Sequence, residues 1–262
     1  MVKSKLSRNT WSACTRAKPE RHAEEPRLDV AATCRLPALP GLRRWVARVG
    51  QVVAALACTL ALATANAAEF EEGVHYVELP VAVETRDPNK IEVVEVFSYA
   101  CIHCYNLEPM VAAWQQTVAD DVDFYRLPLV TQRLLPLAQA FYTAETMGVL
   151  DRVHMPMFAA IHEYGIDMSR REYVRRLFVR DAGVDEEDFL RIFDSFGVQS
   201  RVRQADARGR MYRILATPSV VVNGRYVTES GRVGLQGMFL VVNHLIERER
   251  SARAEAEAPA AE

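Results

Sequence analysis

The chain has little cysteine and no metal-site spacing. Its 262 residues hold five cysteines: Cys14, Cys34, Cys58, Cys101 and Cys104. No second close pair accompanies Cys101 and Cys104, and His75, His154, His162 and His244 stand singly. A structural zinc site takes four ligands, commonly two such pairs, so this pattern argues against zinc. Long apolar runs are also missing. The run at 52–62, VVAALACTLAL, falls short of the roughly 20 residues that a membrane-spanning helix needs. No internal repeat is visible. With half its residues apolar and a quarter charged, the chain has the composition of one globular domain with room for an inserted subdomain.

The net charge of −2 hides an asymmetry. Residues 1–67 carry eleven Lys/Arg against four Asp/Glu, a net of +7, and residues 68–262 carry the remaining 21 against 30, a net of −9. Arg43, Arg44 and Arg48 precede the 52–62 run, and TANAAEF follows it, with Ala65 and Ala67 giving a small-x-small site. This layout reads as a signal peptide cleaved after Ala67. Competing readings are a membrane anchor and a lipidated Cys58, although Ala55 stands where lipoprotein signals usually carry Leu. Residues 1–41 are polar and lack apolar periodicity; a translation start near Leu42 or Val46 would account for them. Cleavage removes three cysteines and leaves Cys101 and Cys104 in the exported chain.

Ile91–Phe97 (IEVVEVF) is short, β-branched and apolar, and reads as a buried strand. After the cysteines, Leu107, Val111, Trp114 and Val118 recur at helical spacing, with Pro109 expected to kink the helix. Val122–Val130 reads as a second strand. Helices follow: one opened by Pro136 and closed near Gly148, a weaker one over 152–163, and one started by a capping box at Ser169 to Glu172 and stopped at Gly183. Another is capped by Asp185 and holds Phe189 to Phe196, and one spans 199–215. Ser219–Val222 and Arg225–Val227 flank Asn223-Gly224, a two-residue hairpin turn signal. A helix from Leu235 to Arg248 closes the fold, and residues 251–262 read as a disordered tail. The parts are therefore a leader at 1–67, an α/β domain in two pieces at 68–130 and 201–250, a helical insertion at 131–200, and the tail.

The stretch FSYACIHCYN places Cys101 where a strand passes into a helix. A helix start offers free N–H groups and the positive end of the dipole, and both favour a thiolate. Bridging residues three apart closes too short a loop to be a useful staple. An exported chain with a lone Cys-x-x-Cys favours redox chemistry, with Cys101 as nucleophile and Cys104, one turn later, as its disulfide partner. Arg170, Arg171, Arg175, Arg176 and Arg180 alternate with core positions on an otherwise acidic chain, which reads as a solvated face and not as a nucleic-acid site.

FSYACIHCY after a strand, with TPSVVVNGRYV more than a hundred residues later, resembles the DsbA family of periplasmic thiol oxidases over roughly residues 74–248. The resemblance implies a thioredoxin-like fold with an inserted all-helical subdomain, no cofactor and no metal. It implies a monomer that oxidises reduced exported proteins and is reoxidised by a DsbB-like membrane quinone reductase. It makes His103 an electrostatic tuner of the thiolate and Pro218 a cis proline against the dithiol, with Thr217 offering backbone groups to substrate. Glu95, six residues before Cys101, is a candidate proton relay, whereas Glu108 reads more simply as a solvated carboxylate. One position departs from the family: Ile102 stands where Pro is usual. The rival readings are an isomerase or reductase on the same scaffold, or a peptide-binding holdase. Isomerases of the DsbC type carry a dimerisation domain ahead of the thioredoxin part, and only about 23 residues separate the expected cleavage from the Ile91 strand.

Overall fold

The computed structural model describes residues 70–257. The leader expectations and the end of the tail, 258–262, lie outside those residues. Five strands form one mixed sheet: β1 (Val77–Glu78), β2 (Ile91–Phe97), β3 (Val122–Pro128), β4 (Ser219–Val222) and β5 (Tyr226–Glu229). Their order is β1-β5-β4-β2-β3. β2 and β3 run parallel, and the other pairs are antiparallel. All seven residues of β2 are buried, which explains why its sequence, IEVVEVF, shows no polar-apolar alternation and carries its two glutamates inside.

The two faces of the sheet bury different sets. Ile91, Val93, Val220 and Val222 pack against α1 (Ile102–Gln115) and α7 (Ser230–Glu257) through Leu107, Val111, Trp114, Met238, Val242 and Leu245. Val94, Val96 and Val221 pack against a helical layer. That layer comprises α2 (Leu135–Thr146), α3 (Leu150–His162), α4 (Arg171–Ala182), α5 (Glu186–Phe193) and α6 (Phe196–Met211), all between β3 and β4. The expected α/β fold with an inserted helical subdomain is therefore present. Among the described residues no helix is long and apolar enough to cross a membrane.

Several local expectations hold for the stated reasons. Asp185 accepts hydrogen bonds from the N–H groups of Glu187 and Asp188 and caps α5. Gly183 ends α4 at φ 61°. Asn223 and Gly224 both take positive φ in the β4–β5 turn. Others change. The Ser169 capping box does not form: Arg170 is the N-cap of α4, and the Ser169 hydroxyl bonds Asp167 instead. Phe196 does not belong to α5. Ser195 caps α6 by accepting from Val198 N–H, so Phe196 becomes the first residue of α6 and stands 78% exposed. α6 runs unbroken through residue 200, where the helical insertion was expected to end. β1 was not expected from sequence; its two residues pair with β5. The tail is ordered to Glu257: α7 continues through SARAEAE. Those are good helix formers, and Arg250 and Arg253 tie them to Asp121 and to the Lys90 carbonyl.

Candidate active site

β2 ends at Phe97, and Cys101 becomes the N-cap of α1 with extended φ/ψ. Cys101 is half-buried, Cys104 fully buried, and both are free thiols. Cys101 Sγ–H donates to the Thr217 carbonyl at 3.2 Å, across 116 residues of sequence. The Thr217–Pro218 peptide bond is cis, the isomer that the resemblance implies. Cys104 Sγ accepts from Ser98 N–H at 3.5 Å.

This environment separates the two thiols. Cys101 is held down to about 5, chiefly by a hydrogen bond from Cys104, against the opposing effect of partial burial; Thr217 and the backbone N–H groups of Cys104 and His103 add to the fall. The Thr217 carbonyl accepts from the thiol form only, whereas the Thr217 side chain, Cys104 and the helix-start N–H groups favour the thiolate and outweigh it. Cys104 is pushed far up by its hydrogen bond to Cys101 and by burial. The outer sulfur is thus a thiolate at neutral pH and the inner one a thiol. His103 and Ile102 are exposed on the first turn of α1 beside Cys101. The N–H groups that act on Cys101 belong to residues two and three positions on. The N–H that Ile102 has and proline lacks is not among the leading causes.

Glu95 is completely buried on β2, opposite Arg126 in the β2–β3 register. Its Oε2 lies 3.1 Å from Arg126 Nε, an ion-pair distance, but neither carboxylate oxygen is aligned for a hydrogen bond. Burial, reinforced by the charge of Glu108 and opposed by Arg126, raises Glu95 to about 8. Glu108 is not the solvated carboxylate expected from sequence. It is 5% exposed and accepts from Arg126 Nη2–H at 2.8 Å and from His154 Nε2 at 2.9 Å. Burial alone would raise Glu108; those two donors hold it below the usual range. Glu108 follows Cys104 by four residues on α1, so the two share its buried face.

Sequence reasoning missed three members of this cluster: Arg126 on β3, His154 on α3, and Tyr99 in the loop before Cys101. The Tyr99 hydroxyl lies 2.8 Å from His154 Nδ1, and His162 Nε2 bonds the Tyr99 carbonyl at 2.9 Å. A sequence signal did exist for the acids. Glu92 and Glu95 are carboxylates in an otherwise apolar strand, and such a strand buries them only with partners. Glu92 finds Arg208 at 2.9 Å and the Tyr212 hydroxyl at 3.1 Å, on the helical-layer side. An open groove of about 610 Å³ begins at Ala100, beside Cys101, and is lined by Leu134, Leu137, Ile161, Ile166 and Met168. Among the described residues, no cluster of three or more His, Cys, Asp or Glu is arranged to hold a metal ion.

A sheet with a dithiol at the start of α1, set against a cis proline, defines a thioredoxin-fold oxidoreductase with a helical insertion. The family model for a DSBA-like thioredoxin domain matches residues 121–245. The thiol:disulfide interchange protein DsbA of Azotobacter vinelandii is 39% identical over 188 residues, covering 71% of this chain and 87% of that protein. The DsbA of Pseudomonas syringae pv. tomato is 38% identical over 202 residues, covering 76% and 94%. The crystal structure of Pseudomonas aeruginosa DsbA superposes with a TM-score of 0.69 at 35% identity, covering 72% of this chain and all of that one. The chain belongs to the DsbA family of thiol:disulfide oxidoreductases.

Proposed function

We propose that this chain is a periplasmic dithiol oxidase that donates a Cys101–Cys104 disulfide to exported proteins. A substrate thiolate attacks Cys101 Sγ, the Cys101–Cys104 bond breaks, and Cys104 leaves and takes a proton. A second substrate thiolate attacks the substrate sulfur of the mixed disulfide and releases Cys101 as a thiolate. Two electrons pass from substrate to enzyme, and a DsbB-like membrane quinone reductase removes them. The enzyme works as a monomer, and the signal peptide that ends at Ala67 delivers it to the periplasm.

The observation that carries this reading is the Cys101 thiol at about 5. A stable thiolate stabilises the reduced pair, so the disulfide is a stronger oxidant. Each unit of depression is about 1.4 kcal/mol, or roughly 30 mV for a two-electron couple. Thr217, next to Pro218, offers backbone groups to an extended substrate segment by β-augmentation. His103 adds its N–H and a tuning side chain beside the sulfur. Glu95, at about 8, relays the proton exchanged with Cys104. The groove at Ala100 suits apolar substrate side chains.

Redox equilibrium with glutathione tests the proposal. The pair should be reduced even in buffers rich in oxidised glutathione. A pair that stays oxidised under mildly reducing conditions would place the chain among reductases. Cys101→Ala tests the holdase alternative: it should abolish oxidation while leaving peptide binding intact, and undiminished function in cells would support the holdase.

A further inference from the structure

His154 comes from the helical layer, yet it touches both flanks of the dithiol. One ring nitrogen meets Tyr99, two residues before Cys101; the other meets Glu108, four residues after Cys104. The ring packs edge-on to Phe97 and Phe158, 5.4 and 5.3 Å between centroids. Burial holds His154 below the usual imidazole range, so at neutral pH it is uncharged and acts through hydrogen bonds. Glu108 is an acceptor, so Nε2 carries the proton and Nδ1 accepts from the Tyr99 hydroxyl. Tyr99 is held well above the usual phenol value, chiefly by burial, and keeps its proton.

Arg126 therefore stands between two buried carboxylates on unequal terms. It hydrogen-bonds Glu108, which His154 anchors from the other side, and ion-pairs Glu95 at 3.1 Å without an aligned hydrogen bond. We propose that His154 is a positioning residue that decides which carboxylate Arg126 neutralises, fixing it on Glu108 and leaving Glu95 to exchange protons with Cys104. The proton-exchange part rests on the role given to Glu95 above. In that step Cys104 Sγ–H gives its proton to the Glu95 carboxylate. The Cys104–Cys101 bond then forms, the bond from Cys101 to a peptide sulfur breaks, and the peptide leaves as a thiolate.

Without the His154 donor, Glu108 loses one of two hydrogen bonds inside the protein and takes up a proton more readily. The Arg126 charge then falls to Glu95. The groups facing this cluster are Glu95 on β2, Glu108 on α1, Arg126 on β3, Tyr99 in the loop, and Asp151 on α3 beside His154 itself.

The full chain is titrated by carboxyl ¹³C NMR at Glu95 and Glu108. In parallel, the rate at which Cys104 expels a model peptide from its mixed disulfide with Cys101 is followed against pH. His154→Asn mimics Nδ1 and loses the Glu108 bond; His154→Gln mimics Nε2 and keeps it. The Glu95 midpoint should fall by about one pH unit or more in His154→Asn and return towards the wild-type value in His154→Gln. The rate profile should move with it. Should His154→Asn fail to fold, His154→Phe, matched to its aromatic surroundings, takes its place with the same expectation. An unmoved Glu95 midpoint overturns the proposal, as do equal shifts in the Asn and Gln variants, which a merely structural role would give. Glu95→Gln separates the two claims. A wild-type rate profile in that variant removes Glu95 as proton carrier, whereas the carboxyl midpoints still decide whether His154 directs Arg126.

Discussion

At the scale of single residues, Ile102 can be weighed against the proline usual in the family. Proline at the first helical position is pre-set for the helix and loses no needed N–H. The N–H groups that stabilise the Cys101 thiolate come from His103 and Cys104. Ile102→Pro should therefore leave the thiolate midpoint, read by absorbance near 240 nm, close to 5 and within about half a unit. It should also raise stability by about 0.5–1 kcal/mol in urea unfolding, by restricting the unfolded chain. A midpoint that moves by more than a unit would show that Ile102 tunes the sulfur itself. Cys104→Ala works the other way. It removes the leading donor to Cys101, and the midpoint should rise by about a unit or more.

At the scale of elements, the β4–β5 hairpin makes the sharpest demand on sequence. Gly224 takes φ 61°, and a Cβ there would lie 1.9 Å from the Val83 carbonyl oxygen. That carbonyl belongs to a residue whose own N–H bonds Gly224 O at 2.8 Å, so the 80–85 loop is docked directly on the turn. Gly224→Ala adds left-handed strain of about 1 kcal/mol to a backbone collision, and about 3 kcal/mol of lost stability is expected in denaturant unfolding. A loss under about 1 kcal/mol would mean that the loop moves aside freely. This turn was legible in sequence because Asn-Gly carries its own reason for bending. So were β2, β4 and the Asp185 cap, whose causes lie within a few residues. The Ser169 box was misread because Asp167 takes the Ser169 hydroxyl and α4 starts at Arg170 with no side-chain cap, and Phe196 was misread because Ser195 caps α6 just ahead of it. Of the His154–Glu108–Arg126–Glu95 cluster only Glu95 was legible, as a carboxylate in an otherwise apolar strand. His154 and Glu108 are 46 residues apart and meet only once the helical layer packs on α1.

At the scale of the whole molecule, the thiol that drives the chemistry also couples stability to pH. In the reduced protein Cys101 sits at about 5 when folded, against an ordinary value of 9.0. A depressed group adds stability fully above its unfolded value and loses it as pH falls through its folded value. Below about 5 the contribution is gone; between 5 and 9.0 it grows with pH. Cys104 opposes this at higher pH. Its thiol stays protonated when folded but ionises when unfolded near the same ordinary value of 9.0, so it costs stability increasingly above that pH. The disulfide form has neither thiol to titrate, and the carboxylates and histidines are common to both forms. The melting temperature of the reduced protein minus that of the oxidised protein should therefore climb from pH 5, peak near the ordinary thiol value of 9.0 and fall above it. Reduced Cys101→Ala should show no such climb relative to oxidised wild type. Calorimetry of both redox forms across this range checks the expectation. A difference that stays constant with pH would mean that the folded thiolate is no more stable than the unfolded one, and the physical basis for an oxidising disulfide would go with it.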